Sequence, residues 1–133
     1  MGSLLADTHA AIWYLFGSEE LSRIARAALR ATVQSGDRIY IASISAVETT
    51  YLVEKGRVPA ATLDRLSQTI RDPETNLELA PLDMDVAQAV RRISRDLVPD
   101  MPDRIIAATA LHLNLPLVTR DRRLQAANIQ TIW

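Results

Sequence analysis

Four acids spread along the chain, Asp7, Glu48, Asp103 and Asp121, are the residues best placed to do chemistry. On a wheel of about 3.6 residues per turn, Asp103 falls among Ile106, Ala107, Ala110 and Leu111, so a carboxylate stands in an apolar stripe. Glu48 does the same among Ile44, Val47, Tyr51 and Leu52, while Thr49 and Val53 point elsewhere. Asp7 follows the apolar run Leu4-Leu5-Ala6, and Asp121 follows Leu115, Leu117 and Val118. Both therefore stand just past the carboxyl ends of expected buried strands. Ligands bind at that edge of open α/β sheets, and all four acids can gather there. Two like charges about 4 Å apart repel by about 4 kcal/mol at an effective dielectric of about 20, so such a cluster calls for a cation. With no cysteine and only His9 and His112, the donors are oxygens. The matching ion is Mg²⁺ or Mn²⁺, which keeps waters and binds phosphate oxygens. The chemistry indicated is phosphodiester hydrolysis.

Each acid has a competing structural role. Asp7 and Asp121 suit the capping of the helices that follow them, and Asp103 suits the first turn of a helix, where its charge complements the dipole. Capping does not explain Glu48, whose alternative is a buried pair with Arg104. Asp100 reads as the N-cap of the helix at Pro102. Thr8 and Thr119, each beside an acid, could orient carboxylates or simply end strands. His9 reads as a surface residue at a helix start. Arg104, Arg120, Arg122 and Arg123 border the acid-bearing segments and could guide a polyanion, although solvated arginines are the commoner outcome. Trp13, Tyr14 and Phe16 read first as core and second as a partner surface.

The elements that position these residues alternate between strand and helix. A strand at Leu4 to Ala6 leads to a helix from Ala10 to Phe16 that stops at Gly17-Ser18. A second helix, Leu21 to Val33, closes at Ser35-Gly36-Asp37. A strand from Arg38 to Ser43 feeds a helix capped by Ser43 or Ser45 and ended near Lys55 by Gly56. Pro59 opens a helix to about Arg71. Leu77 to Leu82 is a weaker strand, and Asp83 or Asp85 starts a helix with Val86, Ala89, Val90 and Ile93 on one side, ending by Pro99. The helix from Met101 to Leu111 has Pro102 at a first helical position. A short helix from Leu124 to Ala127 and an edge strand from Ile129 to Trp133 complete the chain. This order predicts an α/β fold, a mostly parallel sheet of about five strands flanked by helices, in one domain over residues 1–133.

Composition agrees. The 133 residues are 48% hydrophobic and 23% charged, with a net charge of −1, which argues against a large DNA-coating surface. Fourteen of the 15 basic residues are arginine, a good bidentate partner for phosphate. The absence of cysteine excludes disulfides and thiolate metal sites. No apolar run approaches a membrane span and no signal peptide is evident, so the expectation is a cytoplasmic protein.

The segments Leu4-Leu-Ala-Asp7-Thr-His-Ala, Ser43-Ile-Ser-Ala-Val-Glu48, Pro102-Asp-Arg-Ile-Ile-Ala-Ala-Thr-Ala-Leu111 and Leu117-Val-Thr-Arg-Asp121, closed by Trp133, together resemble PIN-domain ribonucleases. Among these they are most similar to the VapC-type toxins of bacterial toxin–antitoxin pairs, over essentially the whole chain. The resemblance implies a parallel sheet between helices, and Mg²⁺ or Mn²⁺ held by Asp7, Glu48, Asp103 and Asp121 for RNA cleavage. It also implies neutralisation by a VapB-like antitoxin, and a homodimer. Many relatives carry a further acid two residues after the last one. Here that position is Arg123, which bears on whether a second metal is held strongly. A receiver-like phosphoacceptor domain is the competing class, but it would want an early adjacent acid pair and a lysine after a late strand, whereas this chain has Asp7 alone and its sole lysine at Lys55. A binding-only PIN domain is the third reading, and the presence of all four acids argues against it.

Overall fold

The computed structural model describes residues 2–133. Five short strands, β1 (Leu4–Ala6), β2 (Ile39–Ala42), β3 (Leu77–Ala80), β4 (Leu117–Val118) and β5 (Thr131–Ile132), form one sheet in the order β3-β2-β1-β4-β5. Every pairing is parallel, with Leu5 opposite Tyr40 on one side and Leu117 on the other. Seven helices join them: α1 (Thr8–Leu15), α2 (Arg23–Gln34), α3 (Ser43–Glu54), α4 (Thr62–Arg71), α5 (Met84–Ala89), α6 (Met101–Leu113) and α7 (Arg122–Ala126). The expected α/β architecture is thus the one observed.

Alternation along β1 explains why the sheet must be covered on both faces. Leu5 packs with Leu117, Val86, Ile106, Ala110 and Leu124 on the α5–α6–α7 side. Leu4 and Ala6 pack with Leu29, Ala25, Ile41 and Val118 on the α1–α2 side. All three β1 residues are fully buried, each large side chain contributing about 1.5–3 kcal/mol by leaving water. The chain runs outward from β1 through β2 to β3, then returns to lay β4 on the other flank of β1. The reversal therefore lies between β1 and β4, the place where α/β sheets open a crevice at their carboxyl edge.

Local chemistry sets the element ends. Asp7 caps α1 by accepting from the Ala10 N–H, so the helix begins two residues earlier than its apolar pattern suggested. Ser22 caps α2, leaving the buried Leu21 outside it, and Gly36, at φ 77°, follows its last turn. Asp83, rather than Asp85, caps α5, which gives way to a 3-10 turn at Val90–Arg92 instead of continuing toward Pro99.

Two expectations for α3 are corrected. Ser43 and Ser45 do not cap it: Ala42 occupies the cap position, Ser43 Oγ accepts from the Leu82 N–H of the next crossover, and Ser45 is buried. The apolar arc of Val47 and Tyr51 does not face the core either, since these residues are 51% and 59% exposed while Ser45 and Thr49 are buried. Small hydroxyl residues let α3 approach its neighbours closely, and Thr49 settles its hydroxyl on the Ser45 carbonyl at 2.7 Å. Of the three early aromatics, Trp13 and Tyr14 pack against the core as expected and Phe16 does not. Trp13 and Tyr14 are half-buried and Phe16 is exposed, with Arg65 stacked 4.7 Å over its ring.

Candidate active site

Asp7 leaves the end of β1 and Asp121 leaves the segment after β4, and the register of those neighbouring strands brings the two acids to one edge. The Asp7 N–H donates to the Val118 carbonyl at 3.1 Å, which locks that edge. Glu48 comes from the second turn of α3, and Asp103 from the first turn of α6. The structure brings Asp7, Glu48, Asp103 and Asp121 to one cleft of about 500 Å³, which Thr8, His9, Trp13, Asp100, Arg120 and Arg123 also line.

Capping and convergence prove compatible. Asp7 holds the α1 cap, Asp121 accepts from the Arg123 N–H at 2.8 Å, and Asp100 accepts from the Asp103 N–H at 3.2 Å, each by one carboxylate oxygen. A carboxylate has further lone pairs, so the same group can end a helix and face the cleft. Asp100, His9 and Trp13 are cleft residues that the sequence reading does not indicate, Asp100 being the one that adds a carboxylate. Carboxylate oxygens of Glu48, Asp100 and Asp103 lie within 4.8 Å of one another. Its spacing of three from Asp103 was the available signal, because residues so spaced share a helix face.

The neighbouring threonines have distinct jobs. The fully buried Thr119 hydroxyl bonds the Asp7 carboxylate and accepts from the Asp121 N–H at 3.0 Å, tying both strand-end acids to one side chain. Thr8 Oγ1 lies 2.6 Å from Glu48 Oε1 and 2.9 Å from Ser45 Oγ. A hydroxyl carries one proton, so Thr8 donates to the carboxylate and receives the Ser45 hydroxyl. Arg104 is elsewhere. Its guanidinium donates to the Ile93 carbonyl at 2.9 and 3.1 Å and to the Val90 carbonyl at 3.1 Å, closing the end of the 3-10 turn. It is neither a cleft residue nor the partner of Glu48, because on α6 it is turned about 100° away from Asp103, toward those carbonyls.

The electrostatics are those of an uncompensated acid cluster. Burial pushes the Asp103 carboxyl up to about 7, reinforced by the charges of Asp100, Asp121, Glu48 and Asp7. Burial likewise raises Asp7, opposed by its bonds from Thr119 and the Ala10 N–H and by the nearby His9. Among the described residues the ion pair found is Arg120 with Glu20, so no arginine neutralises the cluster by direct pairing. An all-oxygen donor set at this spacing, with no paired base, fits a hard divalent cation. A second group, Asp83, Asp85 and His112, is solvent-exposed and does not line this cleft.

The PIN domain family model matches residues 4–129. The chain is 31% identical to Ribonuclease VapC22 of Mycobacterium tuberculosis (strain ATCC 25618 / H37Rv) over 131 residues, covering 95% of this chain and 92% of that protein. Among solved structures it is similar to VapBC2 from Rickettsia felis bound to a promoter DNA fragment (TM-score 0.71, 16% identity, 97% of this chain and 96% of that one). It is equally similar to DNA-bound VapBC from Salmonella typhimurium (TM-score 0.71, 22% identity, 98% and 97%). At these identities the structural likeness speaks for the fold.

Proposed function

The chain belongs to the PIN-domain family, and on that premise we propose that it is a Mg²⁺- or Mn²⁺-dependent endoribonuclease, the toxin of a toxin–antitoxin pair. The reading takes residues 1–133 as one nuclease domain that acts on cytoplasmic RNA, forms a homodimer and is neutralised by a VapB-like antitoxin. A relative 31% identical carries the ribonuclease name, and the solved structures of similar fold include VapBC complexes. No helix among the described residues is long and apolar enough to cross a membrane.

The observation that carries the proposal is the crowding of carboxylates from four separate segments into one cleft with no base paired to them. Neither a structural role nor a receiver-like phosphoacceptor requires so many, and the single lysine, Lys55, stands outside this cleft.

Asp7, Glu48, Asp103 and Asp121 are the residues that hold the ion, with Asp100 beside them. The bound cation supplies a water of lowered pKa and charge neutralisation on the scissile phosphate. The protein supplies the geometry. Thr119 fixes Asp7 and the Asp121 backbone together, Thr8 fixes Glu48, and Asp100 fixes the turn that carries Asp103. Preset ligands cost no reorganisation when substrate arrives. The raised carboxyl of Asp103 would have to be ionised to hold a cation there.

The test is cleavage of single-stranded and structured RNA by purified protein. Cutting that needs Mg²⁺ or Mn²⁺, stops with chelator and is lost in Asp103→Asn with the fold intact is the expected result. Cutting that persists in chelator would sink the mechanism.

A further inference from the structure

If the cleft cuts RNA, as proposed above, a polyanion must approach a wall lined by five carboxylates. Two arginines, Arg120 and Arg123, border that wall. Arg120 is held in an unusual way. Its Cζ lies 4.5 Å from the centre of the Trp13 ring, and its Nη1 donates to Glu20 Oε2 at 2.8 Å. Trp13 is itself set between His9, 5.5 Å away, and Trp133, 6.0 Å away. The arginine thus rests on an aromatic base built from α1 and the last residue of the chain.

Stability does not account for this arrangement. Both members of the ion pair are more than half exposed, at 54% and 60%, and solvent-screened pairs of this kind contribute little to stability. What the ring and the carboxylate do is aim the guanidinium. Arg120 also directly precedes Asp121, so anything bound to it is delivered to the edge where the acids converge.

We propose that Arg120, seated on Trp13, grips an RNA phosphate at the mouth of the acid cleft, and that Glu20 occupies the phosphate's place in the free protein. A carboxylate and a phosphate both offer paired oxygens to the guanidinium fork, so one can replace the other in the same geometry. The exposed Glu20 leaves at little cost. Trp13 keeps the guanidinium over its face throughout, which limits the side-chain freedom lost when RNA binds.

The experiment is binding of a labelled single-stranded RNA, followed by fluorescence anisotropy across a salt series, with Asp103→Asn present throughout so that the RNA stays intact. Arg120→Gln is expected to weaken binding about tenfold and to lower the log–log salt slope by about 0.7, the loss of one phosphate contact on a single strand. Trp13→Leu weakens binding with the slope kept, since no charge is removed. Glu20→Gln binds RNA more tightly, because the competing charge is gone. Matching thermal melts show that the variants fold. An Arg120→Gln protein that binds as the parent does, or a Glu20→Gln protein that binds no more tightly, overturns the proposal. A parent chain that neither binds nor cuts RNA overturns instead the nuclease reading on which it rests.

Discussion

The 2.6 Å hydrogen bond from the Thr8 hydroxyl to Glu48 Oε1 joins the first turn of α1 to the middle of α3. It commits one oxygen of the carboxylate and leaves the other for a cation. Because the Ser45 hydroxyl completes the chain of bonds, the proton on Thr8 has one direction to point. Replacing Thr8 by valine keeps the shape and deletes the donor. Groups that orient a metal-holding carboxylate are worth about 10–100-fold in affinity. Thr8→Val is accordingly expected to weaken Mn²⁺ binding by at least about tenfold in titration calorimetry, and unchanged binding would reduce Thr8 to packing.

Asp103→Asn removes the acid most strongly opposed by its neighbours. Groups that stabilise charge at a reacting centre are worth about 10²–10³ in rate. RNA cleavage should fall by about that factor, while the metal-free melting temperature holds or rises because a like-charge repulsion is relieved. Loss of activity together with lowered stability would point to a structural role.

The raised carboxyl pKa values of Asp103 and Asp7 give stability a defined pH slope. Between about pH 4 and about pH 7 the unfolded chain has released the Asp103 proton and the folded chain still holds it. Folding therefore binds protons across that window, and stability falls as pH rises through it. Burial of Asp7 acts in the same sense. In chelator, melting temperatures measured from acid to neutral pH should drop more steeply for the parent than for Asp103→Asn.

Metal should reverse that trend. A ligand bound only by the folded state adds about 2.7 kcal/mol at a concentration of 100 times its Kd. Mg²⁺ or Mn²⁺ is expected to raise the melting temperature, by more at pH 8 than at pH 6, since the ligands must lose their protons to bind. A pH-independent shift would argue against this cluster as the site.

Arg104 supplies a contrasting test. Its guanidinium closes the carbonyls of Val90 and Ile93, and hydrogen bonds to charged groups contribute about 1.5–3 kcal/mol. Arg104→Ala should lose stability on that scale by urea denaturation. RNA cleavage per folded molecule, measured well below the unfolding transition, is expected to stay at the parent level.

The sequence reading succeeded where one residue type has one strong reason to sit where it does. Leu4-Leu5-Ala6 and Leu117-Val118 are apolar at every position, as suits a strand covered on both faces, and they form the centre of the sheet. The positions of Asp7 and Asp121 follow from those strand ends. Failure came where periodicity is ambiguous. In α3 two arcs are possible, one apolar and one of small hydroxyls, and close packing selected Ser45 and Thr49 for the interior. Glu48 was found all the same, because it borders both arcs. Asp100 was assigned one job when its carboxylate has oxygens enough for two. Arg104 was misplaced because its partners are main-chain carbonyls of a turn whose path only the tertiary fold defines.

The sheet order has a consequence for synthesis. β1 is made first, yet it is flanked by β4, with Leu5 opposite Leu117, and the last acid follows that late strand. A nascent chain still attached to its ribosome holds Asp7 and Glu48 without Asp121, and lacks the partner strand that would bring the ends together. The acid cluster thus stays incomplete until the segment through Asp121 has been made and β4 has paired with β1.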